Sequence, residues 1–334
     1  MRKIISLYIG ALFLTIQALS AQEYLLNQSQ NLQMINPSYY GFNSLTKAGV
    51  IYNNLSYDTQ ENIDTKIAFG NINFENLNFS LGVDVNSFKI NSYGLEINQI
   101  NLSYIYKINL NYETYILPAI YLGIGSQSIE SSKLIFEDQI NLISGFIASQ
   151  SDDPLAQIDL NSNYFDLGAS VIVYNEKFLA GLSLKHLNQP DISYNNESVK
   201  KSLMISVQGA YEFNINYYER SFLPRYSYLM LYLSATSAGS LLKAYASQEL
   251  QLSNFSIGFH QQLSSLEEFS FLNAGVNAGV SAGNINFNVS YSFPMKQDQT
   301  ILPPSMLELS LTFDFNPFIR NNRGDFKRLK TDNF

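Results

Sequence analysis

The chain has 334 residues, with 20 Lys and Arg against 28 Asp and Glu, for a net charge of -8. An acidic chain without a basic stripe excludes a nucleic-acid partner, and the absence of Cys excludes disulfides, thiolate nucleophiles and Cys-ligated metals. Charged residues make up only 14%, and the aromatic 14% is entirely Tyr and Phe; soluble proteins average about 25% charged. Mean hydropathy is near zero, which fits neither a helical membrane bundle nor a disordered chain. It fits a barrel wall with apolar side chains toward lipid and neutral polar ones toward the lumen.

The chain opens as a signal peptide, residues 1–21. Arg2 and Lys3 precede an apolar run over 4–19, and Leu19-Ser20-Ala21 offers a cleavage site between Ala21 and Gln22. The alternative is a retained anchor, but a spanning helix needs about 20 apolar residues and this run is shorter. No Cys follows, so lipoprotein processing is excluded. No later apolar run is long enough for a spanning helix, so export ends in the periplasm, the outer membrane or the medium. Residues 22–44 are polar and lack alternation. They form a periplasmic or plug-like segment; a plug, a strap and a disordered leader all fit. Within it Pro37 restricts Asn36 to extended conformations, and Gly41 can supply a positive φ. Asn36, Pro37, Ser38, Tyr39, Tyr40 and Gly41 therefore read as a turn feeding the first strand, with the two tyrosines seated at the membrane interface or in a barrel mouth. Direct contact with a partner is the other reading.

From about 45 to 316 the apolar period is two. Leu77, Phe79, Leu81, Val83 and Val85 alternate with Asn78, Ser80, Gly82 and Asp84; Leu307, Leu309, Leu311 and Phe313 alternate with Glu308, Ser310 and Thr312. The pattern predicts a transmembrane antiparallel β-barrel of about fourteen strands. Their expected spans are 47–55, 66–74, 77–87, 94–107, 112–125, 164–174, 178–186, 203–213, 226–234, 241–250, 254–262, 269–280, 284–293 and 306–315. Most run about 9–11 residues, the length of a tilted membrane strand. A soluble sandwich has the same alternation with its apolar face inward. Connections after even-numbered strands are mostly tight and those after odd-numbered strands mostly long, the asymmetry of short periplasmic turns and longer extracellular loops. The exception is 214–225, after the eighth strand. An even count places both chain ends in the periplasm. Gly168, Gly181, Gly209, Gly258, Gly275 and Gly279 interrupt strands; wall curvature is preferred over close approach of an inner plug.

The tail, 317–334, carries Arg320, Arg323, Lys327, Arg328 and Lys330. It reads as a solvated basic segment or as a docking arm for an acidic periplasmic partner. Phe313 or Phe315 closes the last strand. The two histidines supply no convincing catalytic set: His260 shares an inward parity with Ser256 and Asn254, and His186 ends a strand where it caps a loop. Asp152 and Asp153, with Glu137 and Asp138 upstream, lack the ligand spacing of a calcium loop. No zinc spacing, phosphate loop or nucleotide fingerprint occurs. No cofactor and no enzymatic activity are expected.

Three segments resemble the PorP/SprF family of type IX secretion membrane proteins. The first is Asn31-Leu32-Gln33-Met34-Ile35-Asn36-Pro37-Ser38-Tyr39-Tyr40-Gly41, similar to a Gln/Asn-rich opening that leads into Asn-Pro-Ala-Tyr-Ala-Gly; Ser38 and Tyr40 stand where the family usually has alanine. The second joins Tyr164-Phe165-Asp166-Leu167-Gly168-Ala169 to Gly181-Leu182-Ser183-Leu184-Lys185-His186-Leu187-Asn188-Gln189-Pro190. The third is the closing Leu307-Glu308-Leu309-Ser310-Leu311-Thr312-Phe313. The resemblance covers most of the mature chain. It implies a Bacteroidota outer-membrane protein that assists secretion or surface attachment of a large adhesin, in contact with periplasmic or peptidoglycan-anchoring components, and active in gliding or adhesion. The leading rival is an outer-membrane transporter or porin for small or hydrophobic solutes; a soluble sandwich adhesin and an outer-membrane hydrolase follow.

Overall fold

The computed structural model describes residues 27–56, 62–92, 94–111, 113–140, 151–153, 160–194, 198–216, 222–224, 227–265, 269–295 and 304–315. The expected cleavage site at Ala21 and Gln22 and the basic tail with Arg320, Arg323, Lys327, Arg328 and Lys330 lie outside these residues. Strands β1 (Lys47–Ser56), β2 (Asn62–Phe74), β3 (Phe79–Ile90) and β4 (Leu95–Tyr106) are followed by a two-residue β5 (Ile108–Asn109), β6 (Tyr115–Ile129), β7 (Leu160–Tyr174) and β8 (Phe178–Lys185). Then come β9 (Met204–Asn214), β10 (Ser227–Ala238), β11 (Leu241–Leu252), β12 (Phe255–Ser265), β13 (Phe269–Ala282), β14 (Ile285–Pro294) and β15 (Ser305–Asp314). β5 merely continues the β4 edge along β6. The other strands form a closed antiparallel ring of fourteen. β1 closes it on β15 from Lys47↔Asp314 to Ser56↔Ser305. Closure gives each strand of the ring a paired neighbour on both sides within the apolar band, which a lipid environment demands.

Side chains sort inside-out relative to a soluble protein. On β3, Val83 and Val85 are exposed on the outer face while Ser80 and Asp84 are buried within; on β15, Leu307, Leu311 and Phe313 are outside while Glu308 and Ser310 are inside. Ile72, Ile100, Leu102, Ile120, Leu122, Ile124, Leu231, Leu233, Ile257 and Phe287 extend this apolar band around the ring. Aromatics gather at its margins, with Phe79 stacked between Phe74 (4.7 Å) and Tyr104 (5.5 Å) at one end. Phe313 and Phe315 meet edge-on at 5.0 Å at the same end, and Tyr291 and Phe293 at 4.7 Å at the other. Such girdles mark the interfaces of a membrane barrel.

At the end where β1 begins, turns are tight; Asn78, Ser253 and Gly283 adopt φ of 52°, 52° and 58° in three of them. The connection over 215–226 is the expected exception there. The opposite end carries the long connections 130–159, 186–203 and 295–304, together with tight turns at 91–94 and 239–240.

Two expectations change. β6 and β7 do not stop at 125 and start at 164: they stay paired from Ser126↔Asn163 to Ile129↔Leu160. Beyond Ile124 and Phe165 the outer positions are Ser126, Ser128, Asn163 and Asn161. The apolar alternation ends there because the lipid does, while backbone pairing continues. The inner wall is also not uniformly polar. Ile51, Ile67, Phe69, Ile105, Leu117, Ile172, Leu179, Met230 and Tyr232 face inward and form one core with Met34, Tyr39, Tyr40 and Phe42 of the N-terminal segment. A second cluster, around Leu55, Phe88, Ile97 and Met306, fills the long-loop end beside β1–β4. Apolar residues are tolerated on the lumen face because they meet protein rather than water.

Candidate functional site

The N-terminal segment Asn27–Ser44 lies inside the ring. It comprises a single helical turn, α1 (Leu32–Ile35), and a 3-10 stretch, Pro37–Ser44, with a bend at Phe42 and Asn43. The proline sets the joint between them. Asn36 takes φ -136° and ψ 106°, the extended state required before proline, and its side chain accepts from Ser38 N–H at 3.0 Å. The expected positive φ falls on Asn43 (56°) rather than Gly41. Gly41 is needed for space instead, since a Cβ there would sit 2.8 Å from Ile105 Cγ2.

Each motif residue docks onto the wall. Asn36 Nδ2 donates to the carbonyls of Val171 (3.4 Å) and Leu182 (3.3 Å). A Cβ at Gly181 would lie 2.9 Å from that amide nitrogen. Gly181 thus serves close approach of the inner segment, not curvature alone. Ser38 donates its N–H to Ser170 Oγ at 3.2 Å, and the two hydroxyls are 2.8 Å apart. Tyr39 and Tyr40 sit inside the barrel rather than at the membrane interface: both are at most 4% exposed, and Tyr40 packs near the short-turn ends of β2 and β3. Tyr40 donates to Asp84 Oδ1 at 3.1 Å, and its carbonyl accepts from Asn71 Nδ2 at 2.8 Å. Its ring lies directly over Gly82, where any Cβ would overlap it. Tyr39 touches Phe42 edge-on (5.8 Å), Phe42 touches Tyr174 (4.6 Å), and Tyr174 stacks on Tyr115 (5.4 Å).

The polar run preceding this motif is clamped by wall carboxylates. Glu308 accepts from Asn27 N–H (2.8 Å), Asn31 Nδ2 (2.6 Å) and Asn53 Nδ2 (3.2 Å). Glu249 accepts from Gln30 Nε2 at 2.7 Å. Tyr245 donates to Asn27 Oδ1 at 2.6 Å, and Ser234 donates to Gln28 Oε1. On the far side Lys185 Nζ donates to Met34 O at 2.7 Å. Hydrogen bonds in such a sheltered site contribute about 0.5–1.5 kcal/mol each, and about 1.5–3 kcal/mol where the carboxyl is ionised. The segment is therefore a strap tied across the lumen to β2, β3, β7, β8, β10, β11 and β15. Above it Gln33, Met34 and Pro37 floor a small polar cavity of about 30 Å³, walled by Asp84, Asn101, Ser103 and Tyr121.

The remaining candidates are placed as follows. His186, at φ 59°, pairs through Nδ1 with Asp166 Oδ2 at 2.8 Å, which also accepts from Gln99 and Tyr121 at 3.3 Å each. His260 Nε2 is 2.7 Å from Ser292 Oγ and its ring stacks on Tyr245, with no carboxylate on its Nδ1. Among the described residues it lacks the orienting acid that a triad requires. Asp138 binds its own loop, accepting from Ser151 Oγ (2.7 Å) and Asp152 N–H (2.6 Å). Among the described residues no metal-ligating cluster occurs. Glu308, Glu249, Asp84, Asp166 and Lys185 were missed by sequence reasoning. The available signal was a charge on the inward parity of an otherwise neutral strand.

A closed ring with a lipid-facing apolar band, aromatic margins and a largely polar, occupied interior defines an outer-membrane β-barrel protein. The family model for the type IX secretion system membrane protein PorP/SprF matches residues 18–313. The chain belongs to that family and is an outer-membrane component of type IX secretion. No curated protein matches it. Solved structures with a similar course include the TodX monoaromatic hydrocarbon channel, at 9% identity over 84% of this chain and 92% of that one, TM-score 0.48. The Ralstonia pickettii toluene transporter TbuX is similar at 8% over 84% and 92%, TM-score 0.48, and Omp33 of Acinetobacter baumannii at 8% over 81% and 98%, TM-score 0.45. The assignment of fold rests on the ring itself.

Proposed function

We propose that the protein is a non-enzymatic accessory of type IX secretion that assists secretion or surface attachment of a large adhesin-like cargo. Family membership supplies the pathway, and one structural observation carries the mode of action. The lumen is crossed by the chain's own strap, held by Glu308, Glu249, Asp84, Lys185 and Ser170, so the barrel works as a rigid outer-membrane fixture rather than a free diffusion pore. Strand β1 begins and β15 ends on the short-turn side, which is the periplasm in this reading, with both chain ends assigned there and the long loops facing outward. The basic tail then stands where periplasmic or peptidoglycan-anchoring components can be met, and the loops where cargo is held. The plug role of 22–44 and the docking role of the tail belong to the same proposal.

The test is affinity capture of the tagged protein from outer membranes in mild detergent, with mass spectrometry of the co-purified chains. Recovery of a surface adhesin or of periplasmic secretion components supports the reading. A barrel recovered alone, with steady ion conductance in planar bilayers, supports the porin alternative instead.

A further inference from the structure

β7 is paired along its whole length with β6, from Tyr115↔Tyr174 to Ile129↔Leu160. Its other edge is paired with β8 only over Ala169–Tyr174, because β8 ends at Lys185. Beyond that stop, side-chain chemistry stands in for one more rung. Leu187 N–H donates to Leu167 O at 2.9 Å; Leu167 N–H donates to Asn188 Oδ1 at 3.0 Å; Asn188 Nδ2 donates to Phe165 O at 2.6 Å. These bonds identify the odd-numbered residues of β7 as those facing the β8 side. Backbone direction alternates along a strand. The N–H of Phe165 and both backbone groups of Asn163 and Asn161 therefore point out of the same edge. Among the described residues, nothing bonds to them.

Beyond Asn188, the described residues of the adjacent loop do not cover this edge. Ile192 O accepts from Gln127 Nε2 at 2.6 Å and Lys201 Nζ donates to Tyr164 OH at 2.8 Å, so these residues lie on the inner face of β6 and β7. Nor does lipid cover it. Fifteen residues at about 3.3 Å each and a tilt of about 40° rise about 38 Å, against an apolar band of about 25 Å. The last outer apolar side chain on this stretch is Phe165; Asn163 and Asn161 beyond it are exposed and polar.

We propose that the free edge of β7 at 161–165 accepts an extended segment of the secreted partner as an added antiparallel strand. A row of unpaired donors and acceptors is complemented fully only by another backbone, which is the basis of recognition by strand addition. The edge lies on the long-loop side, so the inference rests on the outward orientation given above. Asn188 ends the intramolecular ladder without blocking the groups beyond it, leaving about three residues of ladder to a partner.

The chain has no cysteine, so Asn163→Cys gives a single label site. Its modification by an impermeant maleimide in intact cells tests the orientation separately; no modification overturns the orientation and the assignment with it. For docking, a photo-reactive benzoylphenylalanine is placed at 161 and, separately, at 163 in secreting cells, and the adducts are mapped. The expected result is one segment of one secreted protein, with attachment points about two residues apart. Adding Asn163→Pro to the probe at 161 should lower adduct yield at least tenfold while the barrel keeps its heat-modifiable gel mobility. The displaced N–H points away from β6, so that pairing survives. Adducts to lipid, to the chain itself or a second copy, or to scattered sites, or a yield indifferent to the proline, overturn the inference.

Discussion

Substitution of Glu308 by Ala tests whether the strap is held by the carboxylates beneath it. Glu308 is 2% exposed and takes three donors, two of them from the strap: Asn27 N–H at 2.8 Å and Asn31 Nδ2 at 2.6 Å. Each bond contributes about 0.5–1.5 kcal/mol, and about 1.5–3 kcal/mol where the carboxyl is ionised, but removing the carboxyl group also removes its own desolvation cost, and water can enter the space. A net loss of about 3 kcal/mol in strap docking is the reasoned value, about a hundredfold in the docking equilibrium. The barrel should persist, because no ladder bond of β15 uses this side chain. Amide hydrogen exchange of the purified barrel in detergent reads the effect directly. Amides of 27–36 should exchange about a hundredfold faster, those of β3 and β4 should be unchanged, and Glu308→Gln, which keeps one acceptor, should fall between. Bilayer conductance should show transient openings in Glu308→Ala that the parent lacks. Parent-like exchange over 27–36 in Glu308→Ala would refute the clamp.

Gly82→Ala should destabilise the folded barrel by about 1–3 kcal/mol, because the added methyl overlaps the Tyr40 ring; adding Tyr40→Ala should restore much of the gel-shift midpoint in urea. Val85→Arg, on the outer face of β3, should cost about 2–4 kcal/mol in refolding into vesicles, whereas Asn163→Arg, above the band, should cost about 0–1 kcal/mol; equal costs would refute the height assigned to β7. In the loop after β8, Ser198 Oγ, followed by Ser193 N–H, holds the Asp191 carboxyl well below the usual carboxylate range. A lowered folded-state value means the ordering is full above about pH 4 and lost only as pH falls below it. Protease sensitivity of this loop should therefore be flat from neutral pH to about pH 4, and Asp191→Asn should raise it at neutral pH.

Much of the architecture was legible because the two faces of a barrel strand meet different solvents. Runs such as Leu307-Glu308-Leu309-Ser310-Leu311 announce one lipid face and one lumen face, and the ring's strand count follows from counting them. Legibility failed where that contrast fails. The upper halves of β6 and β7 have polar residues on both faces, so their alternation vanishes while Ser126↔Asn163 and its neighbours remain paired. The inner apolar residues Ile172, Leu117 and Ile105 broke the expected polar lumen because they face the strap, a partner distant in sequence.

The sequence by itself determined the barrel, its asymmetric connections and the family motif Asn36-Pro37, since these depend on local backbone restriction and on side-chain period. Only the tertiary structure decided where the motif goes. That Tyr40 lies over Gly82, that Asn31 reaches Glu308 across 277 residues, and that β8 stops short of β7 to leave an open edge are all matters of register between strands. Register arises from ring closure and packing against the strap, and no single segment carries it alone.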